Sequence, residues 1–391
     1  MDFALSTEQQ ILQATVRAFL AHEVGVSVVR EFMETERSGD PSTWQRIVAL
    51  GWHTMLVPSA HGGLGLDTID MVAVAEELGR ALHGGPLLAS SFLATSLACA
   101  LGCDELVAQL ARGTHTATIA VEEVGHGDPL ACIQTTATAT GSPPTYLLNG
   151  TKMLVIDGHL ADTVIVAARV APAHTSGADS STPTPAELAT FLVTRADVPA
   201  ATFVATPTLD LTRSFATAIF HDTPATRVTS NEIANDHTTI WRDALDFAAL
   251  ALSAELVGVA QAASALALEY ARTREVFGQP LTKFQVTRHK AVDLLRETEL
   301  ARVGVHNAAW AWATHDPNRT TAVAMAKSYA AEAANHVGAE CIQIHGAMGY
   351  TWDCDAHLYL RRAKVNDVLF GTQAWHRTRV ADNYFSSTMT T

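Results

Sequence analysis

"TIWRDALDFAALALSAELVGVAQAASALALEYARTR", Thr239 to Arg274, is the stretch whose reading decides the fold. Its alanines, leucines and valines fall on nearly every face of a helix, so little polar surface is left for solvent. A helix apolar all round is packed on several sides. No apolar run in the chain reaches the roughly 18 uninterrupted residues that a membrane helix needs, which leaves a protein core as its place. Two more long helical patterns follow, "FQVTRHKAVDLLRETELARVGVHNAAWAWA" from Phe284 and "TTAVAMAKSYAAEAANHVGAECIQIHG" from Thr320. Long antiparallel helices of this kind predict a C-terminal four-helix bundle over residues 231–391.

Upstream the texture changes. Short β-rich runs such as "TATIAVEE", "ADTVIVAARV" and "ATAIFHD" predict a middle β domain over 116–230. Within it, Asn149-Gly150 between apolar residues predicts a type I′ hairpin turn. The Pro/Ser/Thr/Ala stretch 171–187 cannot bury a core and reads as a mobile loop between strands. Residues 1–115 read as a helical domain. Ser6 and Gln9 carry a helix-start signature, and "TIDMVAVAEELGRAL" is a second helix in which Gly79 is a tight packing point or an early stop. The fold class is therefore α+β: helical domain, β domain, helical bundle.

The 26 basic and 40 acidic residues leave a net charge of −14, which argues against nucleic acid or an anionic membrane as partner. Five scattered cysteines, with no CxxC or Cys/His ligand spacing, predict reduced thiols, no metal site and a cytoplasmic protein. The start "MDFALSTEQQ" lacks the basic end and apolar run of a signal peptide.

Two stretches carry the chemistry: "TREVFGQPLTKFQ" (273–285) and "CIQIHGAMGYTWDCDAHLYLRRA" (341–363). Together with "GWHTMLVPSAHGGLGLD", "EELGRAL" and "LLNGTKMLVIDGHLADTVIVAA", in the same order, they resemble the acyl-CoA dehydrogenase family over roughly residues 2–385. The resemblance implies an FAD site. In it Arg274 offers a planar cation to the pyrophosphate, Phe277 packs beside the adenosine, and Gln285 and Gln343 hydrogen-bond the cofactor. Gly346 and Gly349 let backbone approach the diphosphate, and Thr372 belongs to a ligand-facing Gly371-Thr372-Gln373 turn. Read without the resemblance, Arg274 is a surface ion-pair residue beside Glu275 or Asp293, Phe277 a packing residue, and the glycines a helix end. The resemblance also implies that the ADP half of FAD is gripped by one subunit and its ring rests on a neighbour, in a homotetramer or a hetero-oligomer.

The departures concern the reaction itself. The family takes a proton from the carbon beside a thioester, which needs a carboxylate within reach. Its two positions for that Glu fall on Phe370 and Ala248. Glu255, two helical turns beyond Ala248, and Asp355 are the substitutes in sequence, with paired or helix-start roles as the plainer readings. His345 and His357 are candidate proton shuttles or structural histidines. The family's Thr-Glu-Pro turn is Glu122-Glu123-Val124, and its Trp-Ile-Thr against the flavin is Leu154-Val155-Ile156. The ADP-gripping half is thus intact and the ring-holding half eroded. This pattern resembles the base-lacking subunit of heteromeric acyl-CoA dehydrogenases that act on steroid side-chain thioesters. The expected function is FAD-linked oxidation of an acyl-CoA to its 2-enoyl form with a base-carrying partner, electrons leaving to an electron-transfer flavoprotein. The alternatives are a flavin-dependent oxidase or monooxygenase of the same fold, and a non-catalytic scaffold subunit.

Overall fold

The computed structural model describes residues 5–35, 41–125, 127–141, 144–170, 187–229 and 236–388. The stretch expected to be a mobile loop lies, except for Glu187, outside these residues. Helices α1 (Thr7–Glu23), α2 (Val26–Thr35), α3 (Pro41–Ala49), α4 (Thr68–Arg80), α5 (Thr95–Ala100) and α6 (Asp104–Ala111) come first. The start of α1 is closed by the reciprocal Ser6 and Gln9 bonds that its sequence announced. Asp67 closes α4 in the same way with Asp70.

Strands β1 (Ala117–Ala120), β2 (Thr136–Thr140), β3 (Thr145–Ile156), β4 (Thr163–Val170), β5 (Leu188–Thr194), β6 (Phe203–Ala205) and β7 (Phe215–Arg227) form one sheet. One edge of β4 pairs with β5, the other with β1 and β2, while β5 also reaches β7 beyond β3, so the sheet curls closed. Alternation along β4 sorts its side chains between two cores. Val164, Val166 and Ala168 fill the sheet's interior with Phe191, Phe203 and Phe220, while Ile165 and Ala167 join the helical core.

Asn149-Gly150 is not a hairpin turn. Strand β3 runs straight through it, paired with β2 on one side and β7 on the other. The physical reason is a bulge with its own partners. The Asn149 side chain bonds Asp222 on β7, and Gly150, at φ 147°, lies so close to Thr135 that a Cβ would sit 2.6 Å from its Oγ1. The reversal falls between Thr140 and Thr145 instead.

Helix α7 (His237–Thr273) is followed by a small hairpin, β8 (Glu275–Val276) and β9 (Gln279–Pro280), and then α8 (Gln285–Ala313), α9 (Arg319–His345), α10 (Ala356–Val368) and α11 (Gln373–Thr388). Helix α9 packs against α7, α8, α10 and α11. By length and composition α7 could cross a membrane, but its most apolar window is 83% buried among its neighbours. Gly79 is a packing point. A Cβ there would lie 2.0 Å from the Glu255 carbonyl oxygen, and one on Gly258 would lie 1.8 Å from that of Glu76, so α4 and α7 cross backbone to backbone.

Candidate functional site

The two signature stretches meet at one end of the bundle. Tyr270 in the last turn of α7 stacks on His345 at the end of α9, with ring centroids 4.3 Å apart. Just beyond Tyr270 the chain leaves the helix at Arg274 and turns back through Phe277 and Gly278, both left-handed at φ 53° and 75°. A two-residue turn of this hand suits the twist of a hairpin, yet it places a phenylalanine where glycine or asparagine is favoured. Phe277 is also 93% exposed, which removes the core-packing reading. The Arg274 side chain is exposed and makes no ion pair among the described residues; nearby Arg272 pairs with Glu269 and Arg296 with Asp293. Gln285, Gln343 and Gly346 are exposed at this end too. Gly346 has φ 59° and open space where a Cβ would be, while a Cβ on Gly349 would lie 2.5 Å from the Ile342 carbonyl oxygen. An unpaired guanidinium, an exposed ring and a bare glycine backbone fit a dinucleotide's ADP half.

Thr372 does not join this cluster. It starts α11, where its Oγ1 accepts the Trp375 N–H at 3.2 Å, beside the Phe370 turn. That turn is fixed to the early part of α9, because Gln373 Nε2 donates to the Ser328 carbonyl oxygen and Lys327 donates to the end of α10. Lys327 and His345 stand roughly 27 Å apart along α9 at about 1.5 Å per residue.

The Phe370 turn is closed and internally satisfied. Phe370 has φ 54°, is 3% exposed and packs in the helical core. Its carbonyl oxygen accepts from His376 Nε2 at 3.1 Å, and its N–H donates to Glu122 Oε1 at 2.9 Å. Gly371, at φ 96°, leaves no room for a side chain: a Cβ would lie 2.2 Å from the Trp375 ring. Burial, with Lys327 and Arg379 nearby, pulls His376 down to about 3, so it is neutral and presents an N–H. Lys327 is fully buried and donates to the Asn366 and Asp367 carbonyl oxygens at 2.6 and 3.1 Å, a cation on the C-terminal end of α10. Burial pulls it down to about 8 against Asp367 and Glu122.

Across from this turn lies the loop after β1. Burial pushes the Glu122 carboxyl above its ordinary range, opposed by the Phe370 N–H and by the charges of Lys327 and Lys152. Lys152 is buried and bonds Glu123 Oε1 at 2.6 Å; burial pulls it down to about 8. Glu123 is acceptor as well to the Gln134 and Thr135 N–H groups at 2.7 and 3.1 Å. Leu154 is left-handed at φ 51° where β3 bulges, and Ile156 is buried. Buried Ile156 offers a flavin ring no hydroxyl, and the half-buried Glu122 carboxylate stands against the Phe370 turn. The inner half does not fit the ring.

The substitute bases are occupied. Glu255 is fully buried, with Oε1 2.5 Å from Arg213 Nη2 and Oε2 accepting from Asn366 Nδ2 at 3.0 Å. Arg362, equally buried, bonds Asp210, Thr212 and the Leu82 and His83 carbonyl oxygens. These charges tie α4's end, the β6–β7 loop, α7 and α10 together. Asp355 Oδ1 takes both Arg30 donors at 2.9 and 2.7 Å. His345 bonds the Cys341 carbonyl oxygen, and His357 stacks on Trp352. Ala248 is fully buried on α7. A cavity of about 470 Å³, lined by Trp44, Ile47, His83, Pro86, Asp157 and Leu160 among others, opens elsewhere, between α3 and the end of β3.

Sequence reasoning marked Glu122 as a departure but missed its bond to residue 370, along with Lys327 and His376. A lone lysine inside the alanine-rich "AVAMAKSYAA" was the available signal for Lys327.

Residues 6–109 match the family model described as acyl-CoA dehydrogenase, N-terminal domain, and residues 238–385 that of the acyl-CoA dehydrogenase C-terminal domain. The chain is 31% identical over 373 residues to acyl-CoA dehydrogenase IpdE2 of Mycolicibacterium smegmatis, spanning 94% of this chain and 96% of that protein. Its fold is similar to a chain of the ChsE4–ChsE5 complex from Mycobacterium tuberculosis, with a TM-score of 0.82 at 26% identity over 98% of this chain and 99% of that one. The Tcur3481–Tcur3483 steroid ACAD gives the same TM-score of 0.82, identity of 26% and coverage of 98% and 99%.

Proposed function

The chain belongs to the acyl-CoA dehydrogenase family, and from that premise we propose that it is the base-lacking subunit of an FAD-linked assembly that oxidises an acyl-CoA thioester to its 2-enoyl form. A partner subunit of the same family supplies the carboxylate, and an electron-transfer flavoprotein accepts the electrons. The observation that carries this reading is Phe370, an apolar plug in the slot where the α-proton would be taken. A hydrocarbon side chain cannot accept a proton, and the substitute carboxylates Glu255 and Asp355 are bound to arginines.

The outer end supports a role for this chain in holding cofactor. Arg274, Phe277, Gln343 and Gly346 would grip the ADP half of FAD, which when bound supplies the hydride acceptor. Their separation from Phe370, at opposite ends of the bundle, supports a cofactor whose ring rests on another subunit. The likeness to a two-protein complex, ChsE4–ChsE5, and to a steroid ACAD supports a heteromer acting on a bulky, steroid-derived acyl group.

The test is acyl-CoA-dependent reduction of an artificial electron acceptor by the chain alone and by the chain co-purified with a family member that has Glu in a base position. Turnover is expected only in the pair, lost when the partner's Glu becomes Gln and retained in Phe370→Leu. Turnover by this chain alone, abolished by Glu255→Gln or Asp355→Asn, overturns the reading.

A further inference from the structure

Most polar groups near the Phe370 turn are satisfied in ways that ordinary folding explains, but one bond joins two elements that a ligand would have to part. The N–H of residue 370 sits at a left-handed position between α10 and α11 and faces the loop after β1. A backbone donor held there needs an acceptor. Its acceptor is not solvent or a main-chain carbonyl but the carboxylate of Glu122, 2.9 Å away.

We propose that Glu122 is a built-in latch that closes this chain's own flavin half-site, holding the residue-370 amide and excluding the isoalloxazine ring. The inference rests on the reading that this chain supplies no base, and it adds the residue that keeps the half-site shut.

Three features hold the latch in place. The Glu122 carbonyl oxygen accepts the Met153 N–H at 2.8 Å, which fixes the loop to β3 beside Leu154 and Ile156. Burial raises the Glu122 carboxyl, and the Phe370 N–H with the charges of Lys327 from α9 and Lys152 from β3 opposes that rise. Their own hydrogen bonds go elsewhere, to the end of α10 and to Val121 and Glu123. The remaining neighbour, Glu123, is bonded by Lys152 and Thr135. Glu122 thus bridges the β domain and the bundle across the place where a planar ring would enter. A flavin ring, which takes up negative charge when reduced, would be repelled by a half-buried carboxylate in that position.

FMN tests the latch, because it carries the ring and one phosphate but lacks the adenosine that the outer end would grip. The full-length chain, Glu122→Thr and Glu122→Gln are titrated with FMN and followed by quenching of flavin fluorescence, with thermal unfolding as the check on folding. Glu122→Thr is expected to bind FMN at least tenfold more tightly than wild type. Glu122→Gln keeps the shape and loses the charge, and is expected to gain at least threefold. The latch is overturned if both folded variants bind no more tightly than wild type, or if wild type already binds as tightly as Glu122→Thr. Acyl-CoA turnover by the wild-type chain alone would instead overturn the base-lacking reading. If Glu122→Gln abolished that turnover, Glu122 would be a base and not a latch.

Discussion

The two ends of the bundle solve opposite problems with the same kinds of residue. At the outer end a guanidinium, a phenylalanine and two glutamines stand in solvent, with Arg274 unpaired among the described residues. At the inner end a phenylalanine and two lysines are buried, Glu122 is half-buried, and the polar groups bond one another. Exposed side chains such as these are free to meet something outside the chain. Groups already satisfied have no spare valence for a ligand. The contrast teaches that hydrogen-bond satisfaction, more than residue type, tells which groups of a fold are left free for a ligand.

The largest effect expected from breaking this contrast is at Glu255. Removing it by Glu255→Ala leaves Arg213 buried without its partner and should destabilise the chain by about 3–5 kcal/mol, read as a lower midpoint in urea unfolding. A variant of unchanged stability that had lost only turnover would turn the inner end back into a working site.

Next comes Phe370→Glu. It removes core packing and buries an acid beside Glu122, costing about 2–4 kcal/mol at neutral pH. Burial raises the new carboxyl's pKa in the folded state, so its folded form binds more protons than its unfolded form. Stability is therefore lost as pH rises above the ordinary carboxylate value of about 4.3 and is regained on acidification relative to wild type. Unfolding of both proteins from pH 4 to about 7 checks the sign. Equal stability with acyl-CoA turnover would mean that the slot is still open.

The smallest effect on the fold belongs to the outer end. Arg274→Ala should leave stability within about 0.5 kcal/mol, because the side chain is exposed and unpaired. FAD retained by the assembly with its partner should nonetheless fall about tenfold or more, the value of one charge-assisted contact. Retention unchanged on dilution would make Arg274 an ordinary surface residue and remove half of the comparison.

Much of this was legible in the chain itself. The all-round apolar character of Thr239–Arg274 required a helix packed on several sides, and α7 is buried among its neighbours. Short β-rich runs located strands such as β4, because β-branched residues suit a pleated, buried surface. Arg274, Phe277, Gln343 and Gly346 could be picked out because each lies in a short motif whose partners are near in sequence. Phe370 and Ala248, the positions where the resemblance expects a base, could be picked out for the same reason. Local pattern misled at Asn149-Gly150, where a turn signature was overridden by pairing on both sides of β3.

What only the tertiary structure decided is where long-range partners fall. Thr372 lies with the inner turn and not with Arg274, because α9 carries the two groups to opposite ends. Glu255 is bound to Arg213 and Asn366, 42 and 111 residues away in the chain, and Glu122 meets an amide 248 residues away. Sequence determines which groups a segment can present, since rise and twist per residue are fixed by the backbone. Which of those groups remain free for a ligand depends on what the rest of the chain brings within hydrogen-bond reach, and that is set by packing.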